Sequence, residues 1–273
     1  MARITNDKYY TPKEVVDRCL KILSETIPAK EVTEIMEPSA GNGSFSKRFK
    51  NCVAYDIEPE ADGIIQADFL TLDLPYKKGR LIVGNPPFGT HNSKSIRFFN
   101  KSVEIADYVA FIQPISQLNN NLQMYKFDLI KSADLGIAHY TDRDLHCCFN
   151  IYKRPEGGLN SKPDFRLKDV TIIEYRRKSD NHSYTTAKNK EVTPDFDFSI
   201  CNWGNGSLGK TPEYLGQYAQ EVYIYVHNPI YKDQVKALLE FETIRRFASS
   251  IASKRISVMR LYKYLKDNIE GIK

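Results

Sequence analysis

The chain has 273 residues, 41% of them apolar and 27% charged, with a net charge of +5. That is an ordinary composition for a soluble globular protein, long enough for one large core or a core plus a smaller module. No run approaches the roughly 20 apolar residues of a membrane span, and residues 1–7 lack an apolar signal core, so no membrane partner and a cytoplasmic location are expected.

Thr11, Pro12 and Glu14 read as a capping box with proline at the first helical position, followed by apolar residues at helical spacing as far as Ile27. A strand over 32–36 runs into a glycine-rich turn at 37–45, and a short helix is expected at 46–50. Strands over 52–57 and 63–69 come next, and the apolar run 81–84 predicts a fourth strand. A helix is expected over 95–106, a fifth strand over 108–112, and a further helix over 122–132. Residues 135–140 and 147–152 flank the polar turn 141–144 as an antiparallel hairpin. Strands alternating with helices and closed by a hairpin predict a Rossmann-like α/β fold: a mixed seven-stranded sheet, mostly parallel, with an antiparallel edge.

Beyond Pro155 the texture changes. Residues 156–161 read as a linker, 170–177, 196–201 and 221–227 as strands, and 233–247 and 257–268 as helices, with a polar stretch over 178–190 and a glycine-rich loop at 203–210. The expected organisation is a catalytic domain over 1–155 and a small α+β extension over 156–273. The basic residues concentrate in the latter. Residues 150–190 hold ten Lys/Arg against five Asp/Glu, and 244–273 hold eight against two, so the remainder is net acidic. Such a distribution suits a polyanionic partner.

None of the five cysteines pairs as C-x-x-C, and all sit in apolar surroundings. They read as small buried hydrophobes, and no metal site is expected.

The most informative residues are Asn85, Pro86, Pro87 and Phe88. Neither proline can give an N–H to a strand ladder, so the chain leaves the sheet stiffly just after Asn85. One amide, two carbonyl acceptors and one ring thus gather at a strand's carboxyl end, where open α/β sheets bind ligands. An amide oxygen and a carbonyl can accept both hydrogens of one amino group, and the ring can stack on a planar substrate such as adenine. Gly41-Asn42-Gly43 lies between a strand and a helix, where the backbone can approach a ligand. Asp56 ends the next strand, where it can hold both ribose hydroxyls. Asp68 with Phe69 ends the third, where a carboxylate and an N–H can read an adenine's edge.

Taken together, these motifs make residues 9–155 resemble the class I S-adenosylmethionine-dependent methyltransferases, and within them the N6-adenine branch that carries [DNS]-P-P-[YF], in the γ arrangement. The resemblance implies S-adenosyl-L-methionine as cofactor. Tyr9, Tyr10, Thr11 and Pro12 would lie beside its methionine end, and Glu37, Ser39, Ala40, Gly41 and Gly43 around the methionine. Asp56 would take the ribose, Ile57 the adenine face, and Asp68 with Phe69 the adenine edge. Asn85 and Pro86 would grip the target amine and Phe88 would stack on the target base, flipped from its helix. Nucleic acid is the implied substrate, DNA ahead of structured RNA. A protein glutamine, whose amide is also planar, fits the basic C-terminal half less well. Trp203, Lys254, Arg255, Arg260 and Lys263 are the expected substrate contacts of the extension.

Overall fold

The computed structural model describes residues 10–141, 143–176, 195–201, 220–240, 242–244 and 257–273. The chain forms two compact units, one ending at Pro163 and the other spanning Asp164–Lys273. Tyr9, Trp203, Lys254, Arg255, the polar stretch 178–190 and the loop 203–210 lie outside the described residues.

In the first unit, helix α1 (Lys13–Thr26) precedes strands β1 (Glu34–Glu37), β2 (Val53–Asp56), β3 (Ile64–Gln66) and β4 (Arg80–Gly84); helix α2 (Ser93–Ile105) and strands β5 (Tyr108–Pro114), β6 (Asp128–Tyr140) and β7 (Arg143–Lys153) follow. The sheet order is β3-β2-β1-β4-β5-β7-β6. The first five strands are parallel, and β7 is antiparallel to both β5 and β6. This is the expected mixed seven-stranded sheet with an antiparallel edge.

Alternation along the central strands divides the core into two layers. Leu81 and Val83 of β4, with Ala110 and Ile112 of β5, face Val15, Val16, Cys19 and Leu23 of α1. Ile82, Val109 and Phe111 face Phe98, Phe99 and Val103 of α2. Because both faces of β4 are covered, all five of its residues are buried, and Leu81, Ile82 and Val83 read as one continuous apolar run.

Three local expectations give way to tertiary pairing. The expected helix at 46–50 is a single 3-10 turn, Ser46–Arg48. In place of a helix over 122–132 the chain enters β6, a 13-residue strand laddered to β7 along its length. Two irregularities in that ladder, near Leu129 and Gly136, blur the period-2 pattern that would have marked a strand. In the hairpin Tyr140 pairs directly with Arg143, so the ladder closes more tightly than the expected four-residue turn. Residues 156–163 belong to the first unit, where the Asn160 side chain donates to Asp128 at 2.8 Å.

The second unit is a three-stranded antiparallel sheet, β8 (Val170–Arg176), β10 (Gln220–Val226) and β9 (Phe198–Cys201) in that order, with helices α3 (Lys232–Leu239) and α4 (Val258–Asn268). The α4 stripe is buried as its spacing predicts: Leu261, Tyr262, Leu265 and Ile269 join Val222, Ile224 and Val235 in one core. Ser257 caps the helix, its Oγ accepting the Arg260 N–H at 3.3 Å. The expected continuous helix over 233–247 instead breaks at Glu240, whose backbone is extended. A straight helix would put Ile244 on the face opposite Val235, whereas the break returns Ile244 to the same core.

Phe99 is fully buried and meets Phe127 and Tyr152 edge-on at 6.0 and 5.0 Å. Phe99→Ala should cost about 3–5 kcal/mol, because this packed layer has little room to collapse. Urea unfolding of wild type and variant, followed by a signal from the first unit, measures that loss.

Candidate active site

Strand order reverses between β1 and β4. The chain steps outward from β1 to β3, then returns to β4 on β1's other side. Connections leaving the carboxyl ends of β1 and β4 therefore diverge, and a crevice opens between them. A cavity of about 300 Å³ occupies it. Its walls come from the ends of β1, β2, β3 and β4, from α2, and from Tyr10 and Thr11.

The glycine-rich turn forms one wall. Gly41 and Gly43 have φ of 53° and 81°, a left-handed backbone that strains any other residue. A Cβ at Gly43 would also crowd Lys47 at 3.1 Å. Asp56 holds this turn against β2. Its Oδ2 accepts the Gly41 N–H at 2.7 Å and its Oδ1 the Glu58 N–H at 2.8 Å. Each oxygen keeps a second lone pair for a ligand hydroxyl. Ile57, next in sequence, lines the cavity with an apolar side chain 62% exposed. Asp68 caps a 3-10 turn by accepting the Leu70 N–H at 3.0 Å, and the adjacent Phe69 ring stacks on Phe98 at 5.8 Å.

Tyr10 and Thr11 cross the open side. The Tyr10 N–H donates to Thr141 Oγ1 in the β6–β7 turn at 2.9 Å, and its hydroxyl donates to Glu60. Thr11 does not cap α1; the structural cap is Pro12, without a side-chain bond. Thr11 Oγ1 instead accepts from Asn85 Nδ2 at 3.2 Å, which corrects the capping-box expectation. Asn85 and Pro87 line the cavity and Pro86 is buried beside it. Phe88 is not on the wall. It packs against the α1-side core.

Of the cofactor residues expected from the sequence, Tyr10, Thr11, Glu37, Ser39, Ala40, Gly41, Asp56, Ile57, Asp68 and Phe69 converge on this one cavity. Pro12 and Gly43 shape the backbone beside it without lining it. The main group that sequence reasoning missed is Lys94, Arg97 and Phe98, on one face of α2. Their i, i+3, i+4 spacing straight after Asn-Pro-Pro-Phe was the available signal. In the second unit, partial burial pushes Arg260 below its ordinary pKa, while Lys263 pairs with Asp267 and lies over the Phe165 ring at 5.7 Å.

No family model matches the chain. Curated glutamyl-tRNA reductases from two strains of Clostridium kluyveri are 22% identical to it over 230 residues, 81% of this chain and 53% of theirs. The chain thus spans about half the length of the curated relatives it matches. Solved structures that it resembles over part of its length include a candidate RNA methyltransferase from Pyrococcus horikoshii, with 14% identity, a TM-score of 0.45, and 56% of this chain and 90% of that one covered. Another is a candidate class I S-adenosylmethionine-dependent methyltransferase from Listeria monocytogenes, at 10%, 0.42, 56% and 63%. A third is the 23S rRNA methyltransferase ErmE, at 14%, 0.40, 56% and 72%. Likeness at this level transfers no residue roles, and the chemistry has to come from the site itself.

Electrostatically the cavity is unusual at Glu37. This side chain is 2% exposed, and burial raises its pKa from 4.5 to about 8, against the opposing pull of the Ser46 N–H on Oε2 at 2.7 Å; the nearby Asp56 charge pushes it further up. Glu37 is therefore mainly protonated at neutral pH. Burial likewise raises the Cys147 thiol to about 11 and Cys52 and Cys148 to about 12, so these sulfurs are inert.

A carboxyl raised on folding stabilises fully below its unfolded pKa, and that stability is lost as pH climbs through the folded pKa. Glu37 should thus erode the first unit's stability between pH 4.5 and about 8. Glu37→Gln keeps an acceptor for Ser46 and cannot ionise. Its urea midpoint should gain on wild type from about pH 5 to about pH 9, and parallel midpoints across that range would contradict the assignment.

Proposed function

We propose that this protein transfers a methyl group from S-adenosyl-L-methionine to the N6 amino group of an adenine in DNA. One observation carries the reading: Asn85, at the end of β4, shares a single cavity with the Gly41 turn, Asp56 and Asp68, at the ends of β1, β2 and β3.

The residues present fit such a cofactor. Ser39 Oγ is buried on the cavity wall with no hydrogen-bond partner, a polar atom suited to the methionine end of a ligand. Asp56 would accept from ribose hydroxyls, Ile57 would cover one face of the adenine, and Asp68 would accept from its amino edge. Phe98, stacked on Phe69, supplies an apolar wall on the α2 side. Bound there, the cofactor supplies an electrophilic methyl on sulfonium.

Transfer asks little covalent chemistry of the protein. The lone pair of an exocyclic amine is delocalised into its ring, so the nitrogen attacks poorly. Asn85 Oδ1 and the Pro86 carbonyl would accept its two N–H groups, favour a pyramidal nitrogen and free the lone pair for in-line attack. Positioning and preorganised acceptors would supply most of the acceleration. Phe88 anchors the Pro-Pro turn in the core, so stacking on the target base would require it to swing out when substrate binds. The basic excess of the second unit, with Trp203, Lys254, Arg255, Arg260 and Lys263, supports a nucleic-acid partner.

Labelled cofactor offered with duplex DNA, single-stranded DNA, RNA and protein, followed by nucleoside analysis, tests this. N6-methyladenosine in RNA would move the substrate from DNA to RNA. Label recovered only in protein glutamine would refute adenine chemistry. Asn85→Ala should lower kcat on the order of 10²–10³-fold with cofactor affinity nearly unchanged, since it removes an acceptor needed only by the target amine. Retention of more than about a tenth of wild-type turnover would rule out that role. Asp56→Ala should do the reverse. Calorimetry should show weakened cofactor binding, each charge-assisted ribose bond being worth about 1.5–3 kcal/mol.

A further inference from the structure

Among the described residues that line the cavity, the cations are Lys94 and Arg97, and both belong to α2. The carboxylates Glu37, Asp56, Glu58 and Asp68 lie at or just past the ends of β1, β2 and β3. Arg97 is exposed and makes no hydrogen bond or ion pair among the described residues, although Glu58 and Asp68, also exposed, border the same cavity. The cofactor offers it no anion either. In the reading above the cofactor's carboxylate lies with its methionine at the Gly41 turn, whereas Arg97 directly precedes Phe98, whose ring stacks on Phe69 at the adenine end. A nucleotide whose base enters this cavity brings a phosphate on each side of its sugar. Those phosphates stay at the mouth, where Glu58 and Asp68 repel them and Arg97 attracts them. We infer that Arg97 anchors a phosphate flanking the target adenine, so that the nucleic-acid backbone crosses the mouth over α2, past Lys94 one turn earlier. The inference rests on the methyl-transfer reading above and adds a nucleic-acid contact to the first unit.

The turn after Asn85 fixes where this cation stands. Gly89 has φ of 67°, and a Cβ there would lie 2.8 Å from Lys94 Cγ. The Phe88 carbonyl accepts the Lys94 N–H at 3.1 Å, and the Gly89 carbonyl accepts the Asn92 N–H at 3.3 Å. Glycine's left-handed backbone thus lets the chain fold straight back, and α2 begins against the turn that carries Asn85. Three residues further on, Arg97 falls on the same helix face as Lys94. The far side of α2 is held by Phe99 and Val103 in the core. Arg97 therefore stands on a rigid element at a set place beside the target pocket. Its guanidinium can give paired N–H donors to phosphate oxygens, which fixes the register of a strand without reading its sequence.

Because Arg97 is exposed, its replacement should leave the fold intact. The probe is fluorescent single-stranded oligo(dA), whose adenines are already unpaired, titrated with the full-length protein at several salt concentrations. Arg97→Gln should bind it about 3–10-fold more weakly at physiological salt. The slope of log affinity against log salt should fall by about 0.7, the loss of one single-strand phosphate contact. Cofactor affinity by calorimetry should stay within about twofold of wild type. Arg97→Lys keeps the charge and should restore most of the slope. An unchanged slope in Arg97→Gln would overturn the inference. So would a cofactor affinity that falls in step with oligo(dA) binding, which would assign Arg97 to the cofactor. A lowered slope in a protein that methylates none of the four substrates upholds the phosphate contact and refutes methyl transfer. Methyl transfer to DNA adenine with an unaltered slope upholds the function and removes the contact, so the two readings fail separately.

Discussion

The reversal of strand order between β1 and β4 is the constraint from which the site follows. Adjacent parallel strands whose connections leave in opposite directions cannot fill the space at their own carboxyl ends. Everything chemically distinctive in the first unit borders that space: the Gly41 turn, Asp56, Asp68 and Asn85 each lie just past the end of a strand. The sheet supplies rigidity and the loops supply function, because buried strands have no side chains to spare. Every β4 residue is buried up to Gly84, and the first position released from the sheet is Asn85.

Polar groups hold the two ends of the sheet differently. At the amino end, Arg80 is 5% exposed. It bonds Glu34 and the carbonyls of Pro75 and Ile105, at 2.6 and 3.0 Å. Arg154 likewise bonds the carbonyls of Val103 and Ala106, while its guanidinium lies over the Tyr76 and Phe127 rings at 5.0 and 4.9 Å. Guanidinium groups bound in this way to carbonyls of neighbouring segments act as structural fixtures. At the carboxyl end the polar groups are left with capacity. Ser39 Oγ has no partner, Asp56 keeps open lone pairs, and Glu37 is held neutral by burial. This contrast leaves the unused hydrogen-bonding capacity at the carboxyl end. It also places destabilising features there, as expected where function competes with stability.

Much of the first unit was legible in the sequence because its signals are local. The apolar runs of β4 and β5, the α1 and α2 stripes and the hairpin are periodic over short windows, and the prolines at 86 and 87 stop a strand for steric reasons that hold in any context. The residues that border the cavity were legible for the same reason: Gly41, Asp56, Asp68 and Asn85 are each read from a strand end and its turn. What failed were windows whose local pattern competes with a distant partner. Residues 122–132 carry a helical spacing, yet β7 offers a ladder along the whole of β6, and two irregularities absorb the mismatch. Thr11 has the chemistry of a helix cap, yet its hydroxyl serves an amide 74 residues away.

The sequence by itself thus determined the strands, the sharp exits from them and the residue types gathered at their ends, because excluded volume, missing donors and glycine's freedom act between neighbours. Only the tertiary structure decided which of those ends meet. It brought α2 over the cavity with Lys94, Arg97 and Phe98, turned Phe88 inward to the core, broke the helix at Glu240 so that Ile244 is buried, and set Thr11 against Asn85. Each of those outcomes is a competition between surfaces far apart in the chain, settled by packing and hydrogen-bond satisfaction that no local window contains.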